Sequence, residues 1–378
     1  MEFLAEERRT LESFLPGLDD QLAAAPLERL ESRESPAVGM FRDAGGAGLL
    51  VPSEHRGLGA GPVEAIRTQR AIGSRSPSLA VATTMHHFSV ASLVELWTVE
   101  KGLEWMLLQA VAEQHRLLAS GFAEGVRGQG VLVPTMRGRR VDGNVLISGS
   151  KKPCSLARSM DLLTASVVIE SEDPGIEDEF GVAIIPADAP GIEVSPFWGT
   201  SVLAGAESEE VALTDVPVDS QLVVTIERTD GGRLDAIQTA GFLWFELLIT
   251  ASYLGMASAL LERALRERRG EASPRAAAAC DLESAVASLE GVGHQMNDGD
   301  RSADLLTKAL LCRYGAQDAI NRAVASSVEQ LGGMAFVRTE DVNYFAAASR
   351  ALAFHPPGRL RTAEALTEAL VGAELEIA

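Results

Sequence analysis

Apolar positions recur every three or four residues through the first 116 positions of the chain, the spacing of helices that bury one face. "EFLAEERRTLESFL" is amphipathic, and "SPAVGMFRDAGGAGLL" reads as a helix that ends in glycines. "PVEAIRTQRAIGS" reads as a short helix, and "EKGLEWMLLQAVAEQ" carries apolar residues at helical spacing. Between about 117 and 225 the pattern changes to short runs bounded by turn residues: "GVLVPTM", "NVLISG", "DLLTASVVIE", "FGVAIIP", "IEVSP", "EEVALTDV" and "QLVV", with "VDGN" and "DAPG" as turn signals. From about 233 the helical period returns in longer segments, 234–270, 275–298, 302–331, 339–354 and 362–374. This order predicts an α+β protein with a helical domain over 1–116, a β domain over 117–230 and a helical bundle over 231–378. It excludes a doubly wound dinucleotide fold, in which strand and helix alternate; "GLGAG" at 57–61 has no strand before it and reads as a turn.

Two places depart from this pattern. "ALAFHPPGRL" at 351–360 puts His355, Pro356, Pro357 and Gly358 between two helices, and the prolines enforce a break. From Ala236 to Leu261 the only charged residue is Glu246. That span is long enough to cross a bilayer, but Gln238, Thr239, Thr250, Ser252 and Ser258 within it favour a buried core helix. An ionised carboxylate inside such a helix is costly unless paired. Glu246 is therefore either a proton acceptor, its pKa raised by burial, or one half of a structural pair with an arginine such as Arg350 or Arg322.

Composition narrows the partners. With 53 acidic against 33 basic residues the net charge is −20, a surface that repels phosphodiester backbones and anionic membranes and argues against both as partners. The three cysteines lie far apart without CxxC spacing, and the N-terminus lacks the basic and apolar regions of a secretory signal, so a cytoplasmic location is expected. The six histidines form no metal-binding motif; His86 and His87 are adjacent and diverge by about 100° on a helix, so no metal is expected. "EQLGGMAF" ends a helix in two glycines, an ordinary cap that also lets a ligand approach backbone, with the amide of Gln330 beside it.

Taken together, these segments resemble the acyl-CoA dehydrogenase superfamily of flavoproteins over nearly the whole chain. "GLLVPSEHRGLGAGPVEAIRTQRAIG", "VDGNVLISGSKKPCSLARSMDLLTAS" and "GFLWFELLITASYLGMASALLERALRE" are similar to family segments, and "EQLGGMAFVRTEDV" is the sharpest match, to Q-x-x-GG-x-G. The resemblance implies an N-terminal helical domain, a central β-barrel or sandwich and a C-terminal four-helix bundle, with FAD as cofactor. Ser155 falls on the hydroxyl residue beside flavin N5, and the neighbouring family Trp is replaced by Pro153. Ala123 and Gln129 fall in the family's T-E-P-x-x-G-S loop, which also contacts the flavin. Gln330 and Gly333, with Gly332 between them, fall on cofactor-binding positions that serve a neighbouring subunit. The R-x-x-F-G cofactor motif has no match in "RERRGEASPR".

The resemblance also bears on the prolines. The family's Y-E-G-T base position lands on Pro356, and His355 takes the preceding aromatic position. Relatives that place the base on the long helix have it nine residues before a Gly, and nine residues before Gly255 stands Glu246. Leu247 stands where the family has an Arg; His355, His87 and Leu247 are expected at the substrate. The reaction this implies is dehydrogenation of an acyl thioester of CoA or a carrier protein, with Glu246 as base and electron-transfer flavoprotein or oxygen as acceptor. A homodimer or homotetramer is expected, or a heteromer with a paralogue. The alternatives are a monooxygenase that uses reduced flavin and oxygen on aromatic or amine substrates through His355, His86 or His87, and a catalytically degenerate partner subunit.

Overall fold

A computed structural model describes residues 2–125, 134–171, 175–226 and 234–377. Contacts group the chain into two units: Met1–His115 with Thr200–Ala206 and Ala236–Leu375, and Arg116–Gly199 with Glu207–Asp235 and Glu376–Ala378. The N-terminal and C-terminal helical segments thus form one unit rather than two.

In the helical unit the N-terminal segment supplies α1 (Ala5–Phe14), α2 (Leu18–Ala24), α3 (Leu27–Leu30), α4 (Ala37–Asp43), α5 (Pro62–Gly73), α6 (Pro77–Glu100) and α7 (Glu104–Glu113). The C-terminal segment supplies α8 (Ala236–Arg266), α9 (Ala272–Asn297), α10 (Ala303–Leu331), α11 (Gly333–Arg338), α12 (Glu340–Ala348) and α13 (Arg359–Leu370). Helix α8 is the centre, packed against α5, α6, α9 and α10. This explains its sequence: it is long and apolar enough to cross a membrane, but 94% of its apolar window is buried inside the fold, so it is a core helix. Close packing of α5 on α8 depends on two glycines. A Cβ on Gly255 would lie 2.2 Å from the Arg70 carbonyl oxygen, and one on Gly73 would lie 2.3 Å from that of Ser252. The glycine that marks the register of Glu246 therefore has its own packing reason.

Helix starts follow the local chemistry. At α6 the Ser76 side chain accepts from the Leu79 N–H and Pro77 occupies the first turn. The segment expected as one helix over 339–354 is split: α12 ends at Ala348, and Ser349–Phe354 tightens into a 3₁₀ turn that leads to the prolines. Helix α11 occupies a stretch that reads as a glycine break.

The second unit is a mixed sheet of β1 (Leu118–Gly121), β2 (Arg137–Val141), β3 (Asn144–Cys154), β4 (Leu162–Ile169), β5 (Glu179–Pro186), β6 (Ile192–Ser195), β7 (Glu209–Asp219) and β8 (Val223–Ile226). Its order is β6-β7-β3-β2-β4-β5-β8, with β1 beside β4; β1 and β2 both run parallel to β4 and the other pairs are antiparallel. The "VDGN" signal is a two-residue hairpin turn: Val141 pairs with Asn144, and Asp142 and Gly143 have φ of 47° and 80°, the primed geometry that suits strand twist. Strands β1 and β2 are additions to the expected set. The first is too short and uniformly buried to alternate, and the second, "RGRRV", is polar, with Arg137 and Arg140 reaching outward to Asp178 and Glu179.

Candidate active site

The carboxylate singled out in the sequence lies at the heart of the helical unit. Glu246 on α8 is fully buried, and both its oxygens accept from Nη1 of Arg313 on α10, at 2.9 and 2.8 Å. Arg313 is itself 1% exposed. Burial pushes the Glu246 pKa up, against the opposing charge and hydrogen bonds of Arg313. The cation is neither of the two expected: Arg350 is exposed, and Arg322 pairs with Asp281 at the surface. Leu247, where the resemblance puts an arginine, is fully buried and apolar. Arg313 escaped the sequence reading although a signal was there. It falls on the apolar stripe of α10, with Leu306, Leu310, Ala316 and Ile320, where a surface arginine has no place.

Arg313 also reaches the break after α12. Its Nη2 donates to the carbonyls of Leu352 and His355, and Nη1 donates to that of Pro356. The next residue, Tyr314, donates to the Pro357 carbonyl at 2.8 Å and pairs with the Thr362 hydroxyl at 2.7 Å. These contacts hold the turn that presents His355. The imidazole is half-buried, with Nε2 2.8 Å from the hydroxyl of Tyr253 on α8 and its ring edge-on to Phe245 and Tyr253. Burial and the Arg313 charge push its pKa down to about 3, while burial pushes that of Tyr253 up. Imidazole and phenol are thus both neutral at ordinary pH.

His86 and His87 have different fates. His86 Nε2 lies 2.9 Å from the Ala47 carbonyl, whereas neither ring nitrogen of fully buried His87 has a hydrogen-bond partner in the structure. Its ring packs against Phe41 and His86, and burial holds its pKa well below the ordinary value. Thr250, one turn after Glu246, is likewise buried with an unpartnered hydroxyl.

The residues expected at the cofactor are spread over both units. In the sheet unit Ser155 is buried with its hydroxyl 2.9 Å from that of Ser208, and the Ala123 carbonyl accepts from the Lys152 N–H. Gln129 lies outside the described residues. Beside Ala123 the sequence reading missed a buried pair, in which Lys151 donates to Glu124 at 2.6 Å and to Ser166 at 3.0 Å. In the helical unit Gln330 donates to Ser326 while its carbonyl oxygen has no partner, and a Cβ on Gly332 or Gly333 would meet nothing within 4 Å. Each unit taken by itself holds a group of the kind that a flavin ring's N–H and carbonyl groups pair with: the Ser155 hydroxyl in one, the unpartnered Gln330 acceptor in the other. Among the described residues no group of three or more His, Cys, Asp or Glu is placed to hold a metal.

No family model matches the chain. It is, however, 44% identical over 380 residues to isobutylamine N-hydroxylase of Streptomyces viridifaciens, covering the whole of both chains. The chain belongs to the acyl-CoA dehydrogenase-like flavoproteins. Within that superfamily it is also 22% identical over 338 residues to acyl-CoA dehydrogenase FadE12 of Mycobacterium tuberculosis, covering 85% of this chain and 84% of the relative. In fold it matches the solved structure of FMN-bound TdsC from Paenibacillus sp. A11-2, with a TM-score of 0.79, 19% identity and 99% and 98% of the two chains covered. As a divergent member of the acyl-CoA dehydrogenase-like flavoproteins it is a flavin oxidoreductase.

Proposed function

We propose that this flavoprotein is a monooxygenase that uses reduced flavin and oxygen to hydroxylate the nitrogen of a small alkyl amine. The observation that carries this reading is the end-to-end identity of 44% with isobutylamine N-hydroxylase. The helical unit supports it. Acyl-thioester dehydrogenation with Glu246 as base needs a carboxylate free to take a proton from carbon, and both Glu246 oxygens are engaged by Arg313. N-hydroxylation instead needs the amine nitrogen uncharged, with its lone pair available. Apolar surroundings lower the pKa of an amine, because they give an ammonium no counter-charge. We assign His355 and His87 to the amine: a neutral imidazole accepts its N–H without adding a second positive charge.

Flavin, when bound, supplies the electrons that activate oxygen. Ser155 would meet the flavin of its own chain, and Gln330, Gly332 and Gly333 that of a neighbouring copy, which makes a homodimer or homotetramer part of this reading. Exposed Val337, Phe354, Leu360 and Val371 on the helical unit supply apolar surface for such an association. The test is to supply purified protein with flavin, a flavin reductase, NADH, oxygen and isobutylamine, and to look for the hydroxylamine by mass spectrometry. Anaerobic bleaching of the flavin by an acyl thioester, with no hydroxylamine formed, would instead establish dehydrogenation. Chromatography of the extracted flavin separates FAD, which the resemblance implies, from FMN.

A further inference from the structure

Arg313 donates to five acceptors, and three of them are the main-chain carbonyls of Leu352, His355 and Pro356. We propose that the Glu246–Arg313 pair is the positioning device for His355, a clamp built into the bundle rather than a proton acceptor. The inference rests on the reading above, in which His355 faces the amine.

The chain itself creates the need for a clamp. The Leu352 carbonyl already accepts from the His355 N–H, but among the described residues no main-chain N–H meets the carbonyls of His355 and Pro356, which lie beyond the 3₁₀ turn. Carbonyls turned from water without partners are costly, and Arg313 serves both of these and that of Leu352 with one planar group. The guanidinium can sit almost fully buried there because Glu246 offsets its charge. Helix α8 serves the arrangement twice. Glu246 and Tyr253 are seven residues apart, about two turns, so both fall on one face. The first holds the arginine that holds the turn, and the second meets the His355 ring. From α10, Tyr314 takes the Pro357 carbonyl, so the turn is fixed on both sides of Pro356. Stability alone does not account for the ion pair, since well-packed apolar residues of similar volume are often as stabilising. The three carbonyls do account for it.

The test reads His355 directly. Protein carrying ¹⁵N-histidine shows six imidazoles, and His355→Ala identifies the signal of residue 355 at neutral pH. Glu246→Gln and Arg313→Lys are then compared with wild type. Lysine keeps the charge but cannot reach three carbonyls with a planar fork. Each variant should shift or broaden the His355 signal. With isobutylamine as probe, each should lower kcat by ~10–100-fold with KM changed less than about threefold, the cost of a misplaced group. Should either variant be insoluble, Glu246→Asp keeps both charges, draws Arg313 away from the His355 carbonyl, and is read in the same way. A folded Glu246→Gln protein whose His355 signal is unmoved overturns the proposal, whatever its rate. If that signal moves while wild type makes no hydroxylamine, the clamp stands and the monooxygenase reading falls.

Discussion

A buried ion pair in the sheet unit and one in the helical unit are built in opposite ways. In the sheet unit the carboxylate is the hub: Glu124 accepts from Lys151, from the Thr135 N–H and hydroxyl, and from the Met136 N–H. In the helical unit the cation is the hub: Arg313 serves Glu246 and three carbonyls, while Glu246 has Arg313 alone. The electrostatic outcomes differ accordingly. Burial works against the Glu124 charge, but hydrogen bonds from Lys151 and Thr135 outweigh it and bring the pKa to about 2. Burial dominates at Glu246 and pushes its pKa up. At Glu124 several donors together with a cation outweigh burial; at Glu246 Arg313 alone does not. The two also tie different pieces of backbone: Glu124 joins residue 124 to the start of β2, and Arg313 joins α10 to the turn at His355.

The comparison predicts unequal sensitivity. Arg313→Ala leaves Glu246 fully buried with no partner and takes the donor from the carbonyls of His355 and Pro356; it should cost ~3–5 kcal/mol in denaturant unfolding. Lys151→Met removes one donor of several, and Glu124 keeps those of Thr135 and Met136, so the loss should be smaller, ~1–3 kcal/mol. A larger loss for Lys151→Met than for Arg313→Ala would break the distinction between the hubs.

The acid limb sharpens it. The folded pKa of Glu124, about 2, lies below the usual 4.5, so its ionisation stabilises the fold above pH 4.5, and that contribution is lost as pH falls toward 2. In Lys151→Met this pKa rises, and acid unfolding should begin at higher pH, as followed by circular dichroism. Glu246, with its pKa raised, contributes in the other sense: the fold favours its protonated form, so its titration does not drive unfolding as pH falls.

A buried group without a hydrogen-bond partner should behave differently again. His87→Leu removes two unpaired buried nitrogens and should raise stability by ~1 kcal/mol while lowering N-hydroxylation of isobutylamine. Unchanged turnover would remove His87 from the amine. The smallest effect is expected for Tyr253→Phe, which deletes one neutral hydrogen bond to His355 at ~0.5–1.5 kcal/mol, seen as a modest change in melting temperature.

Much of this was legible in the chain. The switch from helical spacing to short bounded runs and back located the helices and most strands, because those patterns record which faces are buried. The lone charge of the apolar 236–261 stretch marked Glu246 as buried, and Pro356 and Pro357 marked the break. What stayed hidden was who meets whom. Glu246 and Arg313 are 67 residues apart, and their pairing depends on how α8 and α10 rotate against each other, which no local period encodes. Arg350 and Arg322 were equally good partners on paper and lie at the surface. Strand β2 was invisible for the converse reason: its side chains point to water, so its existence rests on main-chain pairing with β3 and β4 rather than on an apolar pattern. The sequence alone determined which apolar faces are buried and that Glu246 lies among them; the tertiary structure decided the partners, because hydrophobic burial is non-directional and hydrogen bonds between distant elements are not.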